Sequence, residues 1–133
     1  MTIKDMESRT GISRANIRYY EQEGLIAPQR DGNGYRNYQE EDVQALERIL
    51  LMRRLGVSLE DIRALQAGSL PLAEAMERQA AKLGQAQQAA AAAQALCRSI
   101  QTAGVPYGRL DARPFLQAPQ PPPELPAMDA ILP

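Results

Sequence analysis

The chain has 133 residues with 15 basic and 16 acidic side chains, so its net charge of −1 does not by itself indicate a nucleic-acid binder. A single cysteine and the absence of histidine exclude an internal disulfide framework and argue strongly against a zinc or iron–sulfur site. No apolar run approaches the roughly 18–20 residues that cross a bilayer, so the cytoplasm is the expected compartment.

The first predicted helix begins at a capping box. In T-I-K-D, the Thr2 hydroxyl and the Asp5 carboxylate are three residues apart, a spacing that lets each accept the other's backbone N–H. The helix is expected to end near Arg9, with Met6 on its inner face. Gly11 then allows a tight corner in the left-handed backbone conformation. This pattern predicts a short helix followed by a sharp turn.

The second predicted helix, S-R-A-N-I-R-Y-Y, separates polar from apolar side chains. Ser13 is a suitable N-cap because its hydroxyl can accept a backbone N–H at the helix start. Ile17 and Tyr20, three residues apart, share one face. Arg14 and Arg18 lie together on the opposite face, in a segment of the chain that is locally basic. A helix, a glycine turn and a polar-faced helix form a helix-turn-helix motif.

Residues 30–38, R-D-G-N-G-Y-R-N-Y, predict a β-hairpin. The Asp-Gly and Asn-Gly pairs both supply residues that adopt the positive φ required in tight hairpin turns. Arg36, which follows the turn, is expected to be exposed and to face phosphate. For Tyr35 and Tyr38, simple packing of the hairpin against a helix and a role in binding are equally supported. The hairpin is expected to form the wing of a winged helix.

Two further helices are predicted to complete a small domain. The third spans Glu40–Leu55, where apolar residues recur at helical spacing and acidic residues occupy the first turn. Arg53 and Arg54 fall in its last turn, where positive charge stabilises the helix dipole. The fourth begins at Ser58 with a second capping-box pattern. Residues 1–67 are therefore predicted to form a winged-helix domain.

A linker at residues 68–71 precedes a long helix predicted at residues 72–102. This helix has no proline, one glycine and many alanines and glutamines, with an apolar seam at heptad spacing over about four heptads. Such a seam favours a coiled coil through which two copies of the chain pair. An alanine-rich helix lying on its own domain is the alternative. The predicted dimer contacts are Leu72, Met76, Leu83, Ala90, Cys97 and Ile100.

Residues 103–133 form a tail that contains most of the chain's ten prolines. Its run Q-P-P-P favours extended polyproline II. A turn of helix is expected to extend no further than Arg113, because Pro114 follows. The tail also carries more large apolar side chains than a purely disordered segment. It is therefore expected to dock on the coiled coil or on the partner subunit, or to cover a ligand site.

Three segments of the first 67 residues resemble the DNA-binding domain of the MerR family of bacterial transcription regulators. They are I-K-D-M-E-S-R-T-G-I-S-R-A-N-I-R-Y-Y-E-Q-E-G-L-I-A-P, N-G-Y-R-N-Y-Q-E-E-D-V and L-G-V-S-L-E-D-I. The resemblance implies an all-α fold with a small β-hairpin wing, in which a winged helix-turn-helix domain precedes a long dimerisation helix in an antiparallel coiled coil. It also implies a homodimer on a pseudo-palindromic operator in double-stranded promoter DNA, where effector-controlled distortion of the DNA regulates transcription by RNA polymerase.

The resemblance also implies which side chains contact DNA. Arg14, Asn16 and Arg18 correspond to the groove-facing part of the recognition helix, where arginine can read guanine or clamp phosphate. Tyr19 corresponds to a tyrosine that contacts phosphate, whereas Tyr20 is expected inside the domain. Positions at the helix starts and on the wing complete the predicted set, which adds Thr2, Ser13, Tyr35 and Arg36.

The effector class is the least constrained part of the resemblance. Metal and redox sensors of the family use clustered cysteines, whereas this chain has Cys97 alone, so no metal and no cofactor is expected. Cys97 is interpreted as a small apolar seam residue, with a reactive or disulfide role as the alternative. A small organic ligand held by the coiled coil and the tail, or no ligand, remain open.

Two other function classes fit the sequence less well. In the first, the winged helix belongs to a protein-interaction module that recruits a partner through its coiled coil and proline-rich tail. In the second, the chain is an enzyme. An enzyme is not expected because the sequence offers no histidine, no nucleophile beside a base and no phosphate-binding loop.

Overall fold

The computed structural model of the chain describes residues 1–117, which form two compact units. The first unit covers Met1–Ala75, and the second begins at Met76. The predicted polyproline segment and its docking lie outside the described residues. The predicted end of the winged-helix domain at residue 67 stays a prediction. The elements of the first unit are α1 (Ile3–Thr10), α2 (Arg14–Gln22), β1 (Gln29–Arg30), β2 (Arg36–Asn37), α3 (Glu40–Arg54) and α4 (Leu59–Ala67).

The starts of α1 and α2 are fixed by the predicted side-chain caps. The Thr2 hydroxyl accepts from the Asp5 backbone N–H at 3.2 Å, and the Asp5 carboxylate accepts from the Thr2 backbone N–H at 2.9 Å. The Ser13 hydroxyl accepts from the backbone N–H of Asn16 at 3.3 Å. Between the two helices Gly11 has a φ of 73°. Residues with a Cβ adopt such a positive φ only at a cost in conformational energy. The structure thus confirms both caps and the turn.

The hairpin pairs β1 with β2 in antiparallel register, with Arg30 opposite Arg36. The Asp31 backbone N–H donates to the Tyr35 carbonyl at 2.7 Å, which leaves a three-residue loop. Gly34 closes that loop with a φ of 87°, whereas Gly32 has no positive φ. The prediction that both glycine pairs supply positive φ is therefore wrong for Gly32, because a loop of this length needs one left-handed residue, at its last position.

The core of the first unit is formed by the inner faces of its four helices and by one hairpin tyrosine. Tyr38 is 1% exposed, so the packing interpretation is correct for it, whereas Tyr35 is 71% exposed. Burial of each large apolar side chain contributes about 1.5–3 kcal/mol relative to its exposure. The most deeply buried side chains are Met6, Ile12, Ile17, Tyr20, Tyr38, Leu46 and Ile49.

Arg53 lies in the last turn of α3 as predicted, but it is also a core residue, which the sequence does not indicate. Its side chain is 2% exposed, and its guanidinium Nη1 donates to the Val57 carbonyl at 3.1 Å. The chain reverses just after α3, so a carbonyl of the reversal lies within reach of the buried guanidinium. Burial raises the pKa of the Tyr20 hydroxyl, and the positive charge of Arg53 opposes that rise. Arg53 is therefore a buried charge near the Tyr20 hydroxyl.

Helix α5 spans Leu72–Ala103, within one residue of the predicted end. Of its 32 residues only Ala75 is buried. Within residues 1–117, no helix combines the length and the apolar character needed to cross a membrane. Helix α5 is followed by a 3₁₀ turn at Tyr107–Arg109 and by the short helix α6 (Arg113–Leu116). The prediction that helix stops at Arg113 is wrong, because Pro114 lies in the first turn of α6, where its missing N–H needs no partner.

Candidate nucleic-acid interface

The outer face of α2 carries the two predicted arginines, while its inner face anchors the helix. Ile17 and Tyr20 are fully buried, which fixes the rotation of α2 about its axis. With that rotation Arg14 and Arg18 are exposed. Exposed arginines on a helix fixed by its opposite face can contact a large polar partner without disturbing the core.

Arg14 is held in place by Glu7 of α1. The Glu7 Oε1 atom accepts from Nε and Nη2 of Arg14 at 3.3 and 3.2 Å. Its other oxygen, Oε2, accepts from the Arg14 backbone N–H at 2.9 Å, so the same carboxylate caps the first turn of α2. No local sequence pattern indicates this contact, since the two residues are seven apart and are brought together by the glycine turn.

Arg18 differs from Arg14 because no carboxylate holds it. It is exposed in the middle of α2 and has no hydrogen-bond or ion-pair partner within residues 1–117. Its positive charge is one of the two that limit the rise in the pKa of Tyr38, so it lies on the side of α2 near the hairpin. Of the arginines of α2, Arg18 is therefore the one whose whole guanidinium is available to a partner.

The other predicted positions on α1 and α2 have different surroundings. Asn16 is only 8% exposed, which argues against a groove-facing amide. Tyr19 is half-buried, with its ring 5.7 Å from that of Tyr20 in an edge-to-face arrangement. Thr2 and Ser13 are exposed, and their hydroxyls accept backbone N–H groups as caps. Each hydroxyl keeps its own proton to donate.

Glu21, near the end of α2, connects that helix to both strands of the hairpin. Its Oε1 accepts from Arg36 Nε at 2.6 Å, and its Oε2 accepts from the Tyr38 hydroxyl at 3.2 Å. The Arg30 guanidinium lies 3.9 Å from the same Oε1. The Glu21 side chain is only 14% exposed. These contacts join residues up to 17 positions apart, so no local sequence pattern indicates them.

The contacts with Glu21 and burial raise the pKa values of two hairpin side chains. The hydrogen bond to Glu21 raises the pKa of the Arg36 guanidinium. Burial, and then the negative charge of Glu21, raises the pKa of the Tyr38 hydroxyl to about 12. At neutral pH both groups therefore keep their protons and donate them to a carboxylate.

The tip of the hairpin is exposed and internally bonded. Asn33 accepts from the Tyr35 backbone N–H at 3.2 Å, and Arg30 donates to the Gly34 carbonyl at 2.9 Å. The Tyr35 ring points away from the core, and the Nη groups of Arg36 have no partner within residues 1–117. The structure thus brings Arg18, Tyr35 and Arg36 together as exposed donors on α2 and the adjoining hairpin.

Two ion pairs connect helices of the first unit away from the face. Arg9 of α1 donates to both carboxylate oxygens of Glu40 at the start of α3, at 3.1 and 2.5 Å. These contacts lower the pKa of Glu40. At the end of α2, Arg63 of α4 donates to the Glu23 carboxylate at 2.8 Å. The helices of the first unit are therefore joined by ion pairs as well as by their apolar core.

The predicted dimer contacts lie along α5, and most have exposed side chains. Leu72 and Leu83 are 57% and 45% exposed, Cys97 is exposed, and Met76 and Ile100 are partly covered. Ala90 is exposed as well. In the described part of the chain no His, Cys, Asp and Glu side chains are grouped as a metal site requires. Within the first unit, Leu72 also borders an apolar groove of about 580 Å³ between α3 and α4.

Comparison with known proteins identifies the family of the first 69 residues. The profile described as "MerR HTH family regulatory protein" matches residues 1–69. The HTH-type transcriptional regulator HmrR of Rhizobium leguminosarum bv. viciae is 46% identical over 67 residues, which are 50% of this chain and 52% of the relative. The chain thus spans about half the length of the curated relatives that it matches.

Solved structures extend the likeness to most of the chain. The HTH-type transcriptional regulator SkgA from Caulobacter crescentus has a TM-score of 0.51 and 29% identity, over 90% of this chain and 88% of SkgA. HiNmlR, a MerR family regulator lacking the sensor domain and bound to promoter DNA, has the same TM-score at 21% identity, over 92% and 98% of the two chains. At that identity HiNmlR indicates the fold alone. These neighbours confirm the predicted winged-helix fold followed by a long helix.

The family match also confirms the resemblance that R-Y-Y-E and G-Y-R-N-Y carry. Both motifs lie in the elements that form the exposed face, since the first belongs to α2 and the second enters β2. The matched region covers more than half of the 133 residues. The chain belongs to the MerR family of helix-turn-helix regulatory proteins.

Proposed function

We propose that the chain is a transcription regulator that binds double-stranded promoter DNA through α2 and the hairpin. The main observation in support of this function is that Arg18, in the middle of α2, is exposed and has no hydrogen-bond or ion-pair partner within residues 1–117. The curated relative HmrR is named a transcriptional regulator, and the HiNmlR structure contains promoter DNA. Family membership and the exposed face therefore point to the same activity.

In this proposal, the side chains of the face have two kinds of role. Arg18 reads a base edge in the major groove, where a guanidinium can donate two hydrogen bonds to guanine. Arg14 and Arg36 contact phosphates, because a carboxylate already occupies part of each guanidinium and leaves the rest to a single acceptor. Tyr19 and Tyr35 place hydroxyls beside the backbone of the DNA. Asn16 is excluded from these roles because its side chain is buried.

We further propose that two copies pair through an antiparallel coiled coil of α5 and bind a pseudo-palindromic operator. A helix of 32 residues is about 48 Å long. An isolated helix gains little stability without a packed apolar face, and α5 leaves Leu83 45% exposed. A second copy at the heptad seam would cover that leucine. Two α2 helices in one dimer then read two half-sites, as the symmetry of such operators requires.

The regulatory step is the finer part of the proposal. The bound dimer distorts the promoter so that RNA polymerase engages it differently, and a small organic effector controls that distortion. An organic effector is the class that this chain favours because it has one cysteine, Cys97, and the described residues hold no metal-site cluster. Bending DNA costs about 1–6 kcal/mol for a site of 20–30 base pairs, so operator sequence influences binding even where no side chain touches a base.

A mobility-shift assay with the DNA upstream of the chain's own gene tests the DNA-binding function. Arg18→Ala is expected to weaken binding about 5- to 150-fold, since a good base contact contributes about 1–3 kcal/mol. Arg54→Ala, which removes an exposed arginine from α3, is the charge-matched control. Equal binding by the Arg18 and Arg54 variants would overturn the role of α2, and binding that is indifferent to salt would overturn DNA recognition itself.

A further inference from the structure

Glu21 commits its carboxylate to the hairpin and not to its own helix. Both oxygens accept from hairpin side chains, Arg36 Nε at 2.6 Å and the Tyr38 hydroxyl at 3.2 Å. Its side chain is only 14% exposed, so water competes little for these contacts. A negative charge in this position opposes the approach of DNA. If Glu21 assists DNA binding, its contacts must therefore increase the affinity for DNA by more than its charge lowers it.

The geometry of Arg36 indicates what that role is. Only its Nε atom is bonded to Glu21, while its two terminal Nη groups have no partner within residues 1–117. The side chain is 37% exposed. The guanidinium is thus fixed on one side and open on the other. An arginine held in this way loses less rotamer freedom when it binds an anion than a freely moving arginine does.

We propose that Glu21 is a positioning residue for DNA binding, which holds Arg36 so that its Nη groups meet a DNA phosphate. This inference rests on the proposed function. Glu21 itself does not touch DNA. Its two effects on affinity have opposite signs, because its charge repels the duplex whereas its contacts with the hairpin prepare Arg36 for binding. A test must therefore separate charge from position.

Glu23 provides the control that separates them. It follows Glu21 by two residues, and its carboxylate accepts from Arg63 of α4 at 2.8 Å. Glu21→Ala and Glu23→Ala each remove one negative charge from the end of α2, so the general electrostatic gain in DNA affinity is matched. The difference between the two variants then measures the contacts of Glu21 with the hairpin.

The experiment measures fluorescence anisotropy of labelled promoter duplex at several salt concentrations. Glu21→Ala is expected to bind about tenfold more weakly than Glu23→Ala, since a charge-assisted hydrogen bond to phosphate is lost. For Glu21→Ala, the slope of the logarithm of the DNA-binding constant against the logarithm of the salt concentration is expected to decrease in magnitude by about one. A decrease of this size corresponds to the loss of one phosphate contact. In an Arg36→Ala background, Glu21→Ala is expected to have no further weakening effect, because the residue acts through Arg36.

The outcomes distinguish this inference from the function on which it rests. If Arg36→Ala changes neither affinity nor slope, the contact between hairpin and DNA in the proposed function is overturned. If Arg36→Ala weakens binding but Glu21→Ala behaves as Glu23→Ala, only the positioning role is overturned. Should Glu21→Ala fail to fold, Glu21→Gln is compared with Glu23→Gln. Glutamine keeps an oxygen acceptor without the charge, so about threefold weakening is expected, and no difference would overturn the inference.

Discussion

Alkaline unfolding tests the buried contact between Tyr38 and Glu21. The pKa of the Tyr38 hydroxyl is raised to about 12 from its ordinary value of 10.0, first by burial and then by Glu21. A raised pKa in the folded state means that the unfolded chain loses the proton first as pH rises. The stabilisation by protonated Tyr38 is therefore complete below pH 10 and is lost as pH rises through 10 towards 12.

The size of the effect follows from the two pKa values. With 10.0 in the unfolded chain and about 12 in the folded chain, linkage gives a loss of about 1.4 kcal/mol by pH 11. Because the Tyr38 side chain is only 1% exposed, solvent does not screen this term. Tyr38→Phe removes the titrating group. At pH 8 it also removes the hydrogen bond to Glu21, which costs roughly 1.5–3 kcal/mol because the acceptor is charged.

Urea unfolding of the original chain and of Tyr38→Phe between pH 8 and pH 11 measures this effect. The difference in unfolding free energy between the two proteins isolates Tyr38, because the other tyrosines and the lysines titrate in both. That difference is expected to shrink by about 1.4 kcal/mol between pH 8 and pH 11. A difference that stays constant over this range would refute the raised pKa of a buried Tyr38 hydroxyl.

Three further substitutions, two of them with a matched control, test the core, the hairpin and the dimer. Arg53→Ala is expected to lower the unfolding free energy by about 2–4 kcal/mol in urea, through a cavity and a lost hydrogen bond, whereas the exposed Arg54→Ala changes it by less than about 0.5 kcal/mol. Gly34→Ala is expected to cost about 1–2 kcal/mol in thermal unfolding because of its positive φ, and Gly32→Ala should be nearly neutral. Leu83→Glu is expected to convert the proposed dimer to a monomer in light scattering, and an unchanged mass would contradict the seam.

The features that the sequence predicts correctly depend on residues close together in the chain. The capping box of Thr2 and Asp5, the cap at Ser13 and the left-handed Gly11 follow from rules that span three residues or fewer. The extent of α5 follows from its lack of proline and from the glycine at position 104, which ends it. Local chemistry therefore determines where these elements begin and end.

The features that the sequence misses depend on contacts between distant residues. Glu21 reaches Arg36 and Tyr38 only after the hairpin folds back on α2, 15 and 17 residues away. Arg53 becomes a core residue because the chain reverses after α3 and supplies a carbonyl acceptor. Asn16 is buried although its helix position looks polar and outward. Neither periodicity nor composition distinguishes these charged and polar residues from exposed ones.

In the proposed function, the two carboxylates of the face, Glu7 and Glu21, let a chain with a net charge of −1 present ordered arginines to DNA. Unpaired arginines alone would attract any duplex, since attraction to phosphate carries no sequence information. Glu7 and Glu21 reduce that general attraction, and at the same time they orient Arg14 and Arg36. Within residues 1–117 this leaves Arg18 as the arginine of α2 without such a partner. We therefore expect the ion pairs of Arg14 and Arg36 with these carboxylates to lower the affinity for random DNA more than the affinity for the operator. On the operator, both oriented guanidinium groups meet their phosphate acceptors.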